Sequence, residues 1–164
     1  MTKRLCALWG LCAFVVSIGV AHAHRLPSVN IEVDQVVVDA QPITQITYQL
    51  HAGDAAEVLR QIDGAPKSLD DPAAMTVLAQ YVRQRSMLSD AVDDVMLGGE
   101  VDGHFVFLYR EVPAWVTIEK ASILADIDDR FSNVVTIRQG DGEVDVYSFS
   151  KNGRDAALPQ PHRH

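Results

Sequence analysis

The sequence predicts a mainly β domain: an immunoglobulin-like β-sandwich of about seven antiparallel strands, with a two-helix insert after the second strand. Three observations point to it. Most of the chain past residue 27 alternates apolar and polar residues with period two. One block, from Asp54 to about Arg85, switches to helical spacing. Turn-forming residues separate the alternating segments at hairpin distances. The same pattern also fits an α+β arrangement, an open antiparallel sheet with both helices on one face.

From Ser28 to Val38, Val29, Ile31 and Val33 alternate with Asn30, Glu32 and Asp34, the mark of a half-buried strand. Asp39 to Pro42 interrupts it. Ile43 to His51 resumes with Ile46, Tyr48 and Leu50 on one side and Thr47, Gln49 and His51 on the other, so the two segments form an antiparallel pair. Asp54, with Glu57 three residues on, reads as a capping box opening a short helix with Val58, Leu59 and Ile62 as its apolar side; Gly64 and Pro66 stop it. Asp71 followed by Pro72 opens a second helix, where Met75, Leu78 and Val82 share a face.

Strands then return. Val92–Val101 and His104–Val112 flank Asp102-Gly103, which suits a tight hairpin turn, and Gly98-Gly99 marks a bulge. Val116–Leu124, Val134–Gln139 and Val144–Phe149 follow, the last two joined by Gly140-Asp141-Gly142. Trp115, after Pro113-Ala114, is expected in the core. The domain organisation is thus a signal peptide over 1–23, one globular domain over 24–150, and a flexible C-terminal tail over 151–164.

Lys3 and Arg4, the apolar run Leu5–Val20, and Ala21-His22-Ala23 read as an export signal cleaved after Ala23. The expected location is periplasmic or secreted, with no membrane span after cleavage. Both cysteines, Cys6 and Cys12, leave with the signal, so the mature chain has no disulfide and no thiol nucleophile. Two of 14 basic residues leave as well and none of the 22 acidic ones, taking the formal net charge from −8 to −10. Nucleic acid is excluded as a partner class, because phosphate binding needs clustered Lys and Arg.

The residues that bear chemistry are few. Cleavage after Ala23 makes His24 the mature N-terminus, where an amine and its own imidazole chelate one metal ion. A second imidazole completes a nitrogen site suited to copper, and His51, His104, His162 and His164 are the candidates for it. Against this stands the plain reading that His24 is simply the residue after the signal. His162-Arg163-His164 reads as a solvated end. Asp126, Asp128 and Asp129 lack the ligand spacing of a calcium loop and read as an acidic turn between strands, as does Asp93-Asp94. No nucleophile elbow, zinc-protease helix or phosphate loop is present, so no catalytic residue is assigned.

Gly99-Glu-Val-Asp-Gly-His-Phe-Val-Phe-Leu-Tyr-Arg-Glu, with Leu124–Ile137 carrying Asp129, Asn133 and Val135, resembles the DUF6702 family of small exported bacterial proteins of unknown function. A His just after the signal, the strand-to-helix passage Tyr48–Glu57 and Tyr81-Val82 fit the same family, and the resemblance spans nearly the whole mature chain. It implies export and fold, and no reaction. Three functions follow as expectations: a non-enzymatic binding or accessory module for another envelope protein; a copper-binding protein using His24; and a hydrolase with an unrecognised carboxylate pair. The first predicts an exposed apolar patch or a bare edge strand, the second a converging imidazole, the third a cleft with two acids of divergent pKa.

Overall fold

The computed structural model describes residues 28–92, 94–139, 142–150 and 153–155. Strands β1 (Ser28–Val38) and β2 (Gln41–His51) are followed by helices α1 (Ala52–Gln61) and α2 (Pro72–Arg85). Then come β3 (Ser86–Leu88), β4 (Val95–Asp102), β5 (Phe105–Pro113), β6 (Ile118–Ala121), β7 (Ser132–Arg138), β8 (Val144–Ser150) and β9 (Gly153–Asp155). The mainly β class and the two-helix insert after the second strand stand as the alternation indicates.

Seven strands form one sheet in the order β4-β5-β2-β1-β7-β8-β9, and β3 pairs with β6 in a separate ribbon. The helices and the ribbon make the layer opposite the sheet, which among the described residues therefore has one covered face. One pairing departs from the all-antiparallel expectation: β7 runs parallel to β1, with Ile31 beside Val135. Hairpin-joined neighbours must be antiparallel, whereas β7 reaches β1 only after the chain has crossed the covered face, and a crossover permits a parallel pair.

The alternation sets which side is covered. Val29, Ile31 and Val33 of β1, Ile46, Tyr48 and Leu50 of β2, Val106, Leu108 and Val112 of β5, and Val135 of β7 share the inner face and are buried. They pack with Ala55, Val58 and Leu59 of α1, Leu78 and Val82 of α2, and Ile118, Ile123 and Leu124 around β6. Burying a side chain of this size is worth about 1.5–3 kcal/mol, so this one layer accounts for most of the hydrophobic stabilisation.

Local chemistry sets the ends of the elements. At α2, Asp71 Oδ1 accepts from Ala73 N at 2.9 Å and Pro72 occupies the first turn. At α1 the cap differs from the expected capping box: His51 Nδ1 accepts from Gly53 N at 3.2 Å, which starts the helix at Ala52. Asp54 thereby falls inside the first turn, and Glu57 pairs with Arg60. The β4–β5 turn also shifts by one residue. Asp102 pairs with Phe105, so Gly103 (φ 58°) and His104 are the two loop residues, with glycine where the turn needs positive φ.

The β1–β2 turn is made by Asp39 (φ 49°) and Ala40 (φ 62°), a left-handed pair that glycine would adopt more readily than alanine. Gly98-Gly99 does mark a bulge: the register shifts between Met96 and Gly98. A Cβ at Gly99 would lie 2.5 Å from both Leu108 Cδ2 and the Phe107 carbonyl oxygen, so only glycine fits there. Of the expected tail, Gly153–Asp155 pairs with β8 as β9, and residues 156–164 lie outside the described residues.

Candidate functional site

Three places combine polar groups with shape: a charge cluster under the sheet, a cleft beside the helices, and the uncovered face with its β4 edge. The charge cluster starts from Arg110. Its position on β5 puts it in phase with Val106, Leu108 and Val112, on the inner face, where it is 4% exposed. A guanidinium there requires a counter-charge. Asp94 supplies it, with Oδ2 2.7 Å from Arg110 Nε. That contact is an ion pair whose N–H is not aimed along the line between the atoms, so the attraction is Coulombic.

Arg83 Nη2 donates to the other Asp94 oxygen at 2.7 Å. Arg110 Nη1 donates to the Ser86 carbonyl at 3.1 Å and to Tyr48 Oη at 3.3 Å, leaving the Tyr48 hydroxyl proton for Ser86 Oγ at 2.8 Å. Burial pushes the Tyr48 phenol above its ordinary pKa, against the opposing pull of Arg110. The cluster ties β2, β5, β3 and the approach to β4 together, and its groups are spent on one another. Asp94, expected in a solvated acidic turn, is instead the counter-ion of the core. The readable signal for this was an arginine in the buried phase of a strand.

The cleft, of about 350 Å³, lies between α1, α2 and the loop from β6 to β7. Val58, Val77 and Ile127 give its apolar walls, and Tyr81, Arg85 and Asp126 its polar floor. Tyr81 Oη donates to Asp126 Oδ1 at 2.6 Å and accepts from Leu124 N at 3.1 Å. Arg85 donates to Asp126 Oδ2 at 2.5 Å and lies 3.8 Å over the Tyr81 ring.

Burial, and the Asp126 carboxylate after it, push the Tyr81 phenol well above its ordinary pKa. For Asp126 burial works upward, but the hydrogen bonds from Arg85 and Tyr81 outweigh it and hold the carboxyl below the usual range. The result is a neutral phenol and an ionised carboxylate with both oxygens engaged. Asp126 is the one carboxylate lining this cleft, whereas a glycosidase-type site needs two with divergent pKa values. What the arrangement does is hold Leu124, buried at φ 65°, in a conformation it would not choose alone. Asn133 secures the same loop, exchanging hydrogen bonds with the Ile123 backbone at 3.1 and 3.2 Å. The acidic loop itself is tied down at Asp128, whose carboxyl Arg130 holds at about 2.

On the uncovered face, register places Phe105, Phe107 and Tyr109 of β5 in a row. Gln45, Thr47, Gln49 and His51 flank them on β2, with Gly98, Glu100 and Asp102 on β4. All three aromatic side chains are half-buried. Tyr109 Oη donates to Glu100 at 2.6 Å, which raises the phenol's pKa; Gln45 donates to Glu111 at 3.1 Å and Asn30 to Gln49 at 3.0 Å. Among the described residues β4 is the last strand on this side of the sheet. Val95 and Leu97 on it are 56% and 54% exposed. Trp115, expected in the core, is 71% exposed, because the turn closed by Val116 N and the Pro113 carbonyl swings it off the end of β5.

The histidines divide. His24, His162 and His164 lie outside the described residues. His51 and His104 come together at one end of the sheet, ring centroids 6.3 Å apart and planes within 14°. Among the described residues no group of three or more His, Cys, Asp or Glu is placed to hold a metal ion, and no helix is long and apolar enough to cross a membrane. No family model matches the chain, and no curated protein matches it either.

Proposed function

We propose that the protein is an exported, non-enzymatic binding module of the bacterial envelope that engages another envelope protein. The observation that carries this reading is the β4 edge, unpaired among the described residues, with Val95 and Leu97 exposed. An unpaired strand bearing exposed apolar side chains is a ready template for a partner strand. The signal-like segment 1–23 and the resemblance to DUF6702 support export, and the two polar clusters, each with its charges paired internally, fit a scaffold better than a catalyst. A photo-crosslinking residue at Leu97, expressed with the native signal in an envelope-bearing host, tests it. A discrete adduct from position 97, and none from Gln80 on the exposed side of α2, is the expected result. No adduct, or the same adducts from both positions, retires the reading.

A second reading, copper binding through His24, has one observation in its favour. Continuing the β1–β2 register by two residues sets Ser28 beside His51, so the chain before Ser28 joins the sheet at the end where His51 and His104 meet. His51 Nδ1 already accepts the Gly53 N–H, and ligation through Nε2 would put a proton on Nδ1 and break that cap. His104 is therefore the better second donor. Titration of the secreted protein with Cu(II), read by electron paramagnetic resonance, should show one nitrogen-coordinated ion, lost in His24→Ala and weakened in His104→Gln. Binding unaltered in both variants removes the copper reading.

A further inference from the structure

We infer that the β4 edge, with the uncovered face beside it, seats an extended segment of a partner protein in which apolar and basic side chains alternate. This names the partner chemistry of the binding module proposed above and rests on that reading. The edge supplies the frame. The bulge at Met96–Gly98 turns Leu97 outward, and the register from Gly98 to Asp102 against β5 is regular. A Cβ built at Gly98, the partner of Tyr109, meets nothing within 4 Å among the described residues, so the face is open there. An added strand would hydrogen-bond along this stretch, and its side chains would alternate between Leu97 and Val101 on one side and Glu100 and Asp102 on the other.

Charge decides what those side chains are. The strands β1, β2, β4, β5 and β7 place Glu32, Asp34, Glu100, Asp102 and Glu111 on the uncovered face against one arginine, Arg138. Arg138 is bound to Glu32 and Asp34, with contacts at 3.1 and 3.3 Å. Glu100, Asp102 and Glu111 thus sit at the β4–β5 side of this face, where β2, β4 and β5 contribute no lysine or arginine to it. The aromatic row adds ring faces that attract cations. An acidic strand is repelled here, and so is a second copy of this chain. Its own β4 carries two carboxylates and no basic residue, and antiparallel self-pairing about Gly98-Gly99 sets Glu100 beside Leu97 rather than beside a cation.

The test uses the secreted protein and two synthetic decapeptides, one alternating Val and Lys and one alternating Val and Glu, followed by amide chemical shifts. The Val–Lys peptide should shift Gly98–Asp102 and Phe105–Glu111 most. Glu100→Lys/Asp102→Lys, with folding checked by thermal melting, should bind it about tenfold more weakly. Equal binding of the Val–Glu peptide, or shifts spread over α1 and α2 with no maximum at β4, overturns the inference. The two layers of the proposal separate cleanly in the crosslinking assay. A Leu97 adduct that persists in the Glu100→Lys/Asp102→Lys protein removes the basic partner and keeps the binding module, whereas absence of any Leu97 adduct removes both.

Discussion

The two faces of the large sheet are built from the same strands and have opposite fates. On β5, Leu108 and Arg110 point into the core while Tyr109, between them, lies on the uncovered side. The inner face is closed by the helices and the ribbon, and its charged groups are paired within it. Among the described residues no such layer lies over the outer face, and its polar groups are joined in short pairs such as Tyr109–Glu100 and Gln45–Glu111. The stabilising core and the proposed recognition surface are thus divided by the two-residue period of a strand. A slip of one residue would exchange them.

The sharpest way to break this comparison is at Arg110. Replacing it with Met strips the buried Asp94 carboxylate of its buried partner, leaving the half-exposed Arg83 as its counter-charge, and should cost up to about 3–5 kcal/mol, read as a lower denaturation midpoint in urea. Arg110→Met with Asp94→Leu should recover much of that loss, because the stranded charge is gone. A double variant as unstable as the single one would mean that Arg110 acts mainly through Ser86 and Tyr48.

Next come adjacent residues on one strand. Leu108→Ala should lose about 2–5 kcal/mol, as a buried leucine does, while Tyr109→Ala should lose under about 1 kcal/mol. Similar losses at both positions would show that the outer face is covered in solution. The same Tyr109 variant should weaken capture of the Val–Lys peptide, which Leu108→Ala, if folded, should leave unchanged.

Alkaline pH probes the inner side without a core deletion. Tyr48 and Tyr81 have phenol pKa values raised in the folded state, each chiefly by burial. Their contribution is complete below the unfolded value near 10 and is lost as pH rises through the folded one. Stability should therefore fall above about pH 10, by up to about 1.4 kcal/mol per pH unit for each tyrosine. Tyr81→Phe should reduce that slope while lowering stability at neutral pH by about 1–3 kcal/mol, because Asp126 and the Leu124 amide lose their partner. A flat profile between pH 8 and 11 would mean that both phenols reach water.

The smallest expected effect is a gain. Ala40→Gly relieves a left-handed alanine in the β1–β2 turn and should raise stability by about 0.4–1 kcal/mol. No gain in melting temperature would mean that the turn relaxes without help.

Much of this was legible in the residues. The alternation of Val29, Ile31 and Val33 with Asn30, Glu32 and Asp34 named both faces of β1, Asp71-Pro72 named the start of α2, and Gly98-Gly99 named the bulge. These are local facts: side-chain period, cap chemistry and backbone freedom act within a few residues. His51 as the cap of α1 was less legible, because an imidazole caps only when the preceding strand delivers it at the right angle, and Asp54 offered a conventional capping box nearby. Asp94 read as a solvated turn since its partner lies 16 positions away on β5.

By itself, then, the sequence determined the β-rich class, the helical insert, the inward and outward phases of the first two strands, and an acidic chain behind a signal-like segment. Tertiary structure alone decided that β7 lies parallel to β1, that β3 and β6 leave the main sheet, that Trp115 faces solvent, that Asp94 neutralises Arg110, and that β4 is an edge. The division has a physical cause. Periodicity and capping are short-range and written residue by residue, whereas strand order, counter-ion choice and the identity of the edge depend on which distant segments reach the same place. That outcome is set by packing over the whole core.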